Sequence, residues 1–523
     1  MDAGRTEGAG DDFDPFGRPL FEDPSARALA RVGVVDVGSN SVRLVVFDGA
    51  ARSPAYFYNE KVMAGLGNSM AETGALDVEG RVRALSALRR FQAIAQGMGI
   101  EPLSAVATAA VREADDGPAF RAEVEAETGM KLWVVDGLEE ARLSAQGVLL
   151  GWPGAYGLVC DIGGSSMELA ELRDGRVGKR ISTKLGPQRL RRVPGGKKGL
   201  RAHLAEEVRA LCEYMGPQPD RLFLVGGSWR AIARIDMERR GYPLHVLHEY
   251  RMTRKAVMAT IDYIEKADLE DLRNRCSLSS SRMALVPLAS QVLAELVRRF
   301  KPHDIAISSY GIREGLLYEQ MPQRIRDRDP LIEACRFAEK KNARIPGFGK
   351  KLYEFVRPLF TSRDAPPTRI IRAACLLHDV SWRAHPDYRH EVSFDEATRA
   401  NLGGITHKER VFLGVALLHR YKNTRENSRL EPLFALMDAR RLQQAEVLGK
   451  AMRLGSMLTA SKEENLGELR FQPKKSRLEL RLAPGTRVLF GEVAEARLAS
   501  LAAALGAQST EVTSLRTKKK KKD

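Results

Sequence analysis

Val32-Gly33-Val34-Val35-Asp36-Val37-Gly38-Ser39-Asn40-Ser41 and Leu158-Val159-Cys160-Asp161-Ile162-Gly163-Gly164-Ser165-Ser166 are two copies of one pattern. Each is an apolar, β-branched run that ends in Asp-x-Gly and small polar residues. A second extended run follows each copy, Val42 to Phe47 and Met167 to Leu172. The pattern predicts strand–turn–strand, a hairpin whose tip carries one carboxylate and several exposed backbone N–H groups. Glycine and serine at such a tip let the backbone approach an anion closely. The aspartate cannot bind a phosphate directly, so its expected role is to hold a hard cation or a water beside it. Two such tips facing each other would clamp a phosphate chain together with a metal ion.

Working outward, 523 residues imply more than one domain. Residues 1–28 are Gly- and Asp-rich without periodicity and are expected to be a disordered tail. A first α/β lobe is expected over 29–140, with an amphipathic stretch from Asp77 to Gln96 and the run Leu103 to Ala107 leading into Thr108 to Ala114. The second lobe, 141–322, repeats the pattern. Its strand Leu222 to Val225 opens onto Gly226-Gly227-Ser228, and its strand Asp304 to Ser308 leads to a short helix through Arg313-Glu314-Gly315. Alternating strands and helices in two similar halves predict an α/β fold of two lobes with a cleft between them. Beyond Met321-Pro322, residues 330–460 read as all helix, from spacings such as Ile371, Cys375, Leu376 and Val411, Val415, Leu418. A small α+β part over 461–510 follows, with two alternating strands between Gly467 and Leu482 and an Ala-rich helix from Val488 to Leu505. A basic tail, 511–523, ends the chain, and its run Lys518 to Lys522 reads as solvated.

The formal net charge of +16 favours a polyanionic partner, although such an excess also serves solubility. No apolar run approaches the ~18–20 residues that span a bilayer, and nothing at the N-terminus resembles a signal peptide. The five cysteines, Cys160, Cys212, Cys276, Cys335 and Cys375, are scattered and form no Cys-x-x-Cys pair. That argues against a zinc site and for a reducing, cytoplasmic compartment.

Few polar positions are free to carry chemistry. In Val134-Val135-Asp136-Gly137-Leu138-Glu139-Glu140, Asp136 is placed to cap a helix and Glu139 to complete a capping box. Glu140 is left without a structural task; a surface carboxylate is the default reading for a lone glutamate, and the position just before the second hairpin, between the lobes, raises the functional one. In Ala107-Thr108-Ala109-Ala110-Val111-Arg112, Thr108 is the expected N-cap, with Arg112 one turn later. An anion there would meet N–H groups, a hydroxyl and a guanidinium fork; the plainer reading is a capped helix with an exposed arginine. Glu168, two residues beyond Ser166, would join Asp36 and Asp161 in a carboxylate cluster fit for magnesium, unless it faces outward from its strand. Pro194-Gly195-Gly196-Lys197-Lys198 suits either a loop touching polyanion or an ordinary charged loop.

Together these residues resemble the exopolyphosphatase / guanosine pentaphosphate phosphohydrolase family, of the superfamily that also holds actin, sugar kinases and Hsp70 chaperones. Asp36 to Ser41 is similar to its first phosphate motif and Asp161 to Glu168 to its second. Ala107-Thr108 with Arg112, the Glu-Glu-Ala-Arg segment at Glu140, Leu185-Gly186 with Arg189-Leu190, and Gly311-Ile312-Arg313-Glu314-Gly315 follow in the family's order. The match is good over about 31–320 and looser beyond.

The resemblance implies two actin-like (ribonuclease-H-like) lobes, with Glu140 as catalytic base and Arg112 as the phosphate-binding arginine. Asp36, Asp161 and Glu168 fall on the metal side, for Mg2+ or another divalent cation. Gly38, Ser39, Asn40, Ser41, Thr108, Gly163, Gly164, Ser165, Ser166, Arg189 and Lys197 fall on the substrate. Implied partners are inorganic polyphosphate and a second copy in a homodimer. The alternative substrate, guanosine pentaphosphate, would place the protein in the stringent response. Two readings of other classes are an ATP-dependent kinase-like protein using Gly226-Gly227-Ser228 and a polyanion-binding regulatory protein with weak catalysis. The chain departs from the family at Ser165, which replaces a third glycine and is expected to strain its tip, and at Met167, which replaces a threonine. Leu377-His378-Asp379 is similar to the His-Asp pair of HD phosphohydrolases. With no histidine between His303 and His378, the pair reads as a structural relic in an HD-like helical domain; His385, His390, His407 and His419 lie downstream.

Overall fold

The computed structural model describes residues 30–49, 52–100, 102–458, 466–484 and 486–515. The tail at 1–28 and the lysine run at 518–522 lie outside the described residues. The chain forms two compact units, one reaching to Arg328 and the other starting at Asp329.

The first unit contains the same sheet twice. Strands β1 (Val32–Val37), β2 (Val42–Phe47), β3 (Tyr56–Val62), β4 (Ser104–Ala107) and β5 (Leu132–Val134) lie in the order β3-β2-β1-β4-β5. Here β1–β2 and β2–β3 are antiparallel hairpin pairs, whereas β4 and β5 run parallel to β1. The second sheet takes β6 (Gly157–Ile162), β7 (Met167–Arg173), β8 (Arg176–Thr183), β9 (Arg221–Val225), β10 (Arg251–Met252) and β11 (Asp304–Ser308). Its order is β10-β11-β9-β6-β7-β8. With the two-residue edge strand β10 set aside, the order and strand senses repeat those of the first sheet. Parallel neighbours require crossovers, which the helices Val78–Met98 and Val286–Phe300 help to supply. Asp77 caps the first of these by accepting from the Gly80 N–H at 2.7 Å.

Alternation along the central strands divides the core into layers. Val35 and Val37 face the helices of the first lobe, and Leu158, Cys160 and Ile162 those of the second. Val32, Val34, Val45 and Val159 face a shared middle layer built around the helices Gly137–Gly151 and Ile312–Glu319. These two helices pack with little between their backbones: a Cβ added at Gly315 would lie 1.9 Å from the Leu143 carbonyl oxygen, and one at Gly147 2.2 Å from that of Gly311. Only glycine permits so close a crossing.

The second unit is helical from Pro330–Asn342 through Ala439–Gly455, and the apolar positions read from the sequence (Ile371, Cys375, Leu376, Val411, Val415, Leu418) are buried. A three-stranded sheet follows, with β12 (Gly467–Gln472), β13 (Arg477–Leu482) and β14 (Ser509–Ser514). The sequence reading placed Glu511 to Ser514 in a basic tail; they instead pair in parallel with β13, returned to it by the helix Glu492–Leu505. Among the described residues no helix is long and apolar enough to cross a membrane, and all five cysteines are free.

Candidate functional site

Strand register builds one row of polar side chains on each lobe. In the first sheet Asp36 pairs with Arg43, and Arg43 with Lys61. In the second, Asp161 pairs with Glu168, and Glu168 with Ser182. Cross-strand partners share a face, so the rows Asp36–Arg43–Lys61 and Asp161–Glu168–Ser182 occupy corresponding places. Both begin at the end of the middle core layer, where the apolar alternation of β1 and β6 gives way to a carboxylate. The tips beyond them are closed alike: the Gly38 N–H donates to the Ser41 carbonyl at 3.0 Å, and the Gly163 N–H to that of Ser166 at 3.0 Å.

A cleft of about 180 Å³ lies between the rows. Its walls include Asp36, Gly38, Ser39, Asn40 and Ser41 from one tip and Asp161, Gly163, Gly164 and Ser166 from the other, with Thr108 and Glu140 between them. Glu140 is 8 % exposed, in the first turn of the helix Gly137–Gly151. Asp136 caps that helix through the Glu139 N–H at 2.7 Å. Glu139 does not complete the expected capping box; its carboxylate is held by Arg142. Arg112 donates to Glu140 Oε2 at 3.3 Å and to the Val135 carbonyl at 2.8 Å, which fixes its guanidinium against the carboxylate.

Burial and crowding set the protonation states. Loss of water first, and Asp161 after it, raise the Glu140 carboxyl to about 8 against the opposing charge of Arg112. Glu168 is also pushed well above the usual carboxylate range, by burial first and then by Glu140 and Asp161. Burial also raises Asp36 and Asp161, although Arg313 opposes it at Asp36 and a Ser144 hydroxyl bond opposes it at Asp161.

The wall beyond the carboxylates is cationic. Arg43, Lys61, Arg230, Arg282 and Arg313 all line it. Burial and mutual repulsion lower Arg43 to about 10 and Lys61 to about 8. Arg313 is 7 % exposed and stands 4.0 Å from Asp36, with its Nε unpaired. Arg282 lies over the Gly226–Gly227 turn so closely that a Cβ at Gly227 would come within 1.8 Å of its Nη1. The sequence reading did not assign a role to Arg43, Lys61, Arg230 or Arg282. Counting across the two hairpins from Asp36 would have placed Arg43 and Lys61 on its face; no local signal marks Arg230 or Arg282.

The remaining sequence candidates divide. Thr108 lines the cleft but makes no side-chain cap bond. Glu168 is 1 % exposed, does not line the cleft, and accepts from the Ser182 hydroxyl at 2.9 Å. The expected three-carboxylate cluster is therefore not assembled, and among the described residues no three or more His, Cys, Asp or Glu side chains are grouped to hold a metal ion. Asp36 and Asp161 remain, a pair that suits magnesium, which takes one or two carboxylates plus phosphate oxygens and water. Ser165 adopts no left-handed conformation, so the strain expected of its side chain is absent. Its hydroxyl instead bonds Ser39 Oγ of the opposite tip at 3.2 Å. Arg189 lies outside the cleft, in a neighbouring cavity of about 500 Å³, and is paired with Glu113. Lys197 is exposed in the first turn of the helix Gly196–Met215, which begins inside the expected loop, and it lines neither cavity.

In the helical unit His378 Nδ1 lies 2.8 Å from the Cys375 carbonyl, and burial lowers its pKa to about 4. Asp379 is gripped by Arg344 through bonds of 2.6 and 2.8 Å. A guanidinium thus occupies the carboxylate that a metal would need.

Duplicated mixed sheets, a carboxylate at each hairpin tip and a cationic cleft define a protein built to handle phosphate chains. The chain belongs to the Ppx/GppA phosphatase family, whose sequence profile matches residues 45–324; the profile of the exopolyphosphatase C-terminal domain matches 343–512. It is 27 % identical over 319 residues to exopolyphosphatase 1 of Mycobacterium tuberculosis, covering 58 % of this chain and 92 % of that protein. It is 23 % identical over 411 residues to the guanosine-5'-triphosphate,3'-diphosphate pyrophosphatase of Vibrio cholerae, covering 74 % of this chain and 80 % of the relative. A crystal structure of an exopolyphosphatase from Cytophaga hutchinsonii shares the fold, with a TM-score of 0.51 and 21 % identity over 56 % of this chain and 98 % of that one.

Proposed function

We propose that this protein is an exopolyphosphatase, which hydrolyses the terminal phosphoanhydride of inorganic polyphosphate. The observation that carries the reading is the cationic wall. Among the described residues, five basic side chains line the cleft against three acidic ones, Asp36, Glu140 and Asp161, and such an excess suits a chain of phosphates. Glu140 orients a water against the terminal phosphorus and takes its proton, and Arg112 holds the carboxylate in place. The Ser39, Ser41 and Ser166 tips surround the transferred phosphoryl, with the cations along the wall opposing its charge. Asp36 and Asp161 would hold a magnesium ion, which when bound neutralises charge on phosphate oxygens.

Arg282 over Gly227 disfavours the kinase-like alternative, because it fills the turn where the resemblance would seat an adenosine. Guanosine pentaphosphate hydrolysis is the second reading, favoured by the longer match to the Vibrio cholerae relative, which extends into the helical unit. We further read the two lobes as actin-like, the helical unit as an HD-like relic performing no chemistry, and the assembly as a cytoplasmic homodimer. The test is magnesium-dependent phosphate release from the purified protein on long polyphosphate, guanosine pentaphosphate and ATP. Polyphosphate should be preferred, and Glu140→Gln should lose on the order of 10²–10³ in rate, by analogy with single electrostatic groups. A preference for ATP, or undiminished turnover by Glu140→Gln, overturns the proposal; polyphosphate binding without any turnover would identify a regulatory protein.

A further inference from the structure

The cationic wall continues past the cleft. A further cavity of about 220 Å³ shares Lys61, Gly227, Arg230 and Arg282 with the cleft, and adds Arg234, Ser277 and Ser279. Helical periodicity builds one side of it. Gly227, Arg230, Ala231 and Arg234 stand three or four residues apart on the helix Gly227–Arg239, so all four meet the cavity from one face. The other side is the turn into the short helix Ser280–Met283, where Ser279 Oγ accepts from the Arg282 N–H at 3.3 Å. From there the Arg282 guanidinium reaches back over Gly227. No carboxylate lines this cavity, and none of its four cations makes an ion pair among the described residues. Burial lowers Arg282, with Arg234 adding to it; burial also lowers Arg230, with Arg313 and Arg282 adding. An acid appears one cavity further on, in a space that shares Arg234 and Ser277: Glu238 lies there, 3.3 Å from Arg275.

Like charges held together without a counter-charge raise the free energy of the protein alone, and a bound anion lowers it. An anion that serves two connected cavities has to be extended and charged along its length. A nucleoside would instead bring a neutral base among four cations, with no aromatic side chain lining the cavity to stack upon. We propose that the outer cavity is a subsite for the body of a linear polyphosphate, entered between Arg230 and Arg282 and closed at its far side by Arg234, and that it gives the enzyme a preference for long chains over short ones. The inference rests on the exopolyphosphatase reading of the cleft. With the terminal phosphoryl at the hairpin tips, the phosphates behind it run along the cationic wall, and only later ones reach Arg234, which lines the outer cavity and not the cleft.

The experiment compares kcat and KM of the full chain and its Arg234→Gln, Arg234→Glu and Arg234→Lys variants on tripolyphosphate, long-chain polyphosphate and guanosine pentaphosphate. Arg234 is exposed, so its variants should fold. Arg234→Gln should raise KM for long chains about threefold and Arg234→Glu about tenfold, while Arg234→Lys stays near native. KM for tripolyphosphate, and kcat on both polyphosphates, should not move. The slope of log KM against log salt on long chains should also fall in Arg234→Gln by on the order of 0.7, the loss of one contact on a single-stranded polyanion. An equal rise in KM for tripolyphosphate and long chains, a rise for guanosine pentaphosphate that matches the one for long chains, or no rise at all overturns the subsite, while polyphosphate hydrolysis by the native protein still upholds the activity. A native protein that releases phosphate from neither polyphosphate overturns both.

Discussion

Replacing Arg112 by glutamine should move the acid limb of the pH–rate profile to higher pH. Burial holds the Glu140 carboxyl at about 8, with Arg112 the leading opposing influence. A base with that pKa is ionised in about one molecule in ten at pH 7 and about nine in ten at pH 9, so kcat/KM of the native enzyme should climb roughly tenfold between them. The Arg112 guanidinium stands 3.3 Å from the carboxylate, with the arginine side chain 21 % exposed. Even with the screening of bulk water, opposite charges at that distance attract by about 1.3 kcal/mol, or roughly one pKa unit. Arg112→Gln should therefore shift the limb up by about one unit or more, which costs a further tenfold or so at pH 7 and is partly regained on the alkaline side.

The assay is initial-rate phosphate release from polyphosphate across the pH range at constant ionic strength. Lost phosphate binding alone would lower the whole profile without moving its limb. A limb that stays in place, or moves down, refutes the placement of Arg112 on the base. Glu140→Gln supplies the stability counterpart. A carboxyl raised above its unfolded value of about 4.5 favours the fold fully at low pH, and that contribution is lost as pH rises towards 8. Denaturant titrations should accordingly show Glu140→Gln gaining on native protein between those values; identical pH dependence would contradict the burial argument.

Ser165→Gly removes the hydroxyl that bonds Ser39 and relieves no backbone strain. It should lower stability by about 1–2 kcal/mol with kcat nearly unchanged, as denaturation and rate measurements will show. Lys61, lowered to about 8 by burial and by Arg282, Arg43 and Arg230, loses its charge above that value. KM for polyphosphate should rise there, and Lys61→Met should show the higher KM at every pH. Gly315→Ala pushes a Cβ to 1.9 Å from the Leu143 carbonyl oxygen and should cost at least ~1–3 kcal/mol in thermal or denaturant unfolding. Removing divalent cations with a chelator should abolish phosphate release and leave the fold intact, since the site has only Asp36 and Asp161 to contribute.

What could be read from the sequence was local. A period of two that ends in Asp-x-Gly is a property of ten consecutive residues, so both tips and their aspartates could be placed, as could Glu140 once Asp136 was taken as the cap. The third strand of the C-terminal sheet, Ser-Thr-Glu-Val-Thr-Ser, has almost no apolar side and forms because a helix returns it to β13, an event its own residues do not announce. Arg230 and Arg282 belong to separate helices and meet only through tertiary packing. The strain expected at Ser165 failed because the tip closes through one hydrogen bond in an ordinary backbone conformation. A side chain is admitted there, and the Ser165 hydroxyl bonds across to Ser39 of the other lobe.

The duplication also explains why chemistry had to be added asymmetrically. Equivalent strands place Asp36 and Asp161 opposite each other, but a cleft with identical rows would carry either two cationic walls or two acidic ones. Lobe I has Arg43 and Lys61 in its row. Lobe II has Glu168 and Ser182 there, bonded to each other at 2.9 Å and withdrawn from the cleft. Glu140 enters from the helix that joins the halves, and its pKa is raised by burial first, with Asp161 and then Asp36 of the two tips adding to it. Two copies of a phosphate-gripping hairpin thus provide the clamp, and the substitutions that break their equivalence give it a base on one side and a charged path on the other.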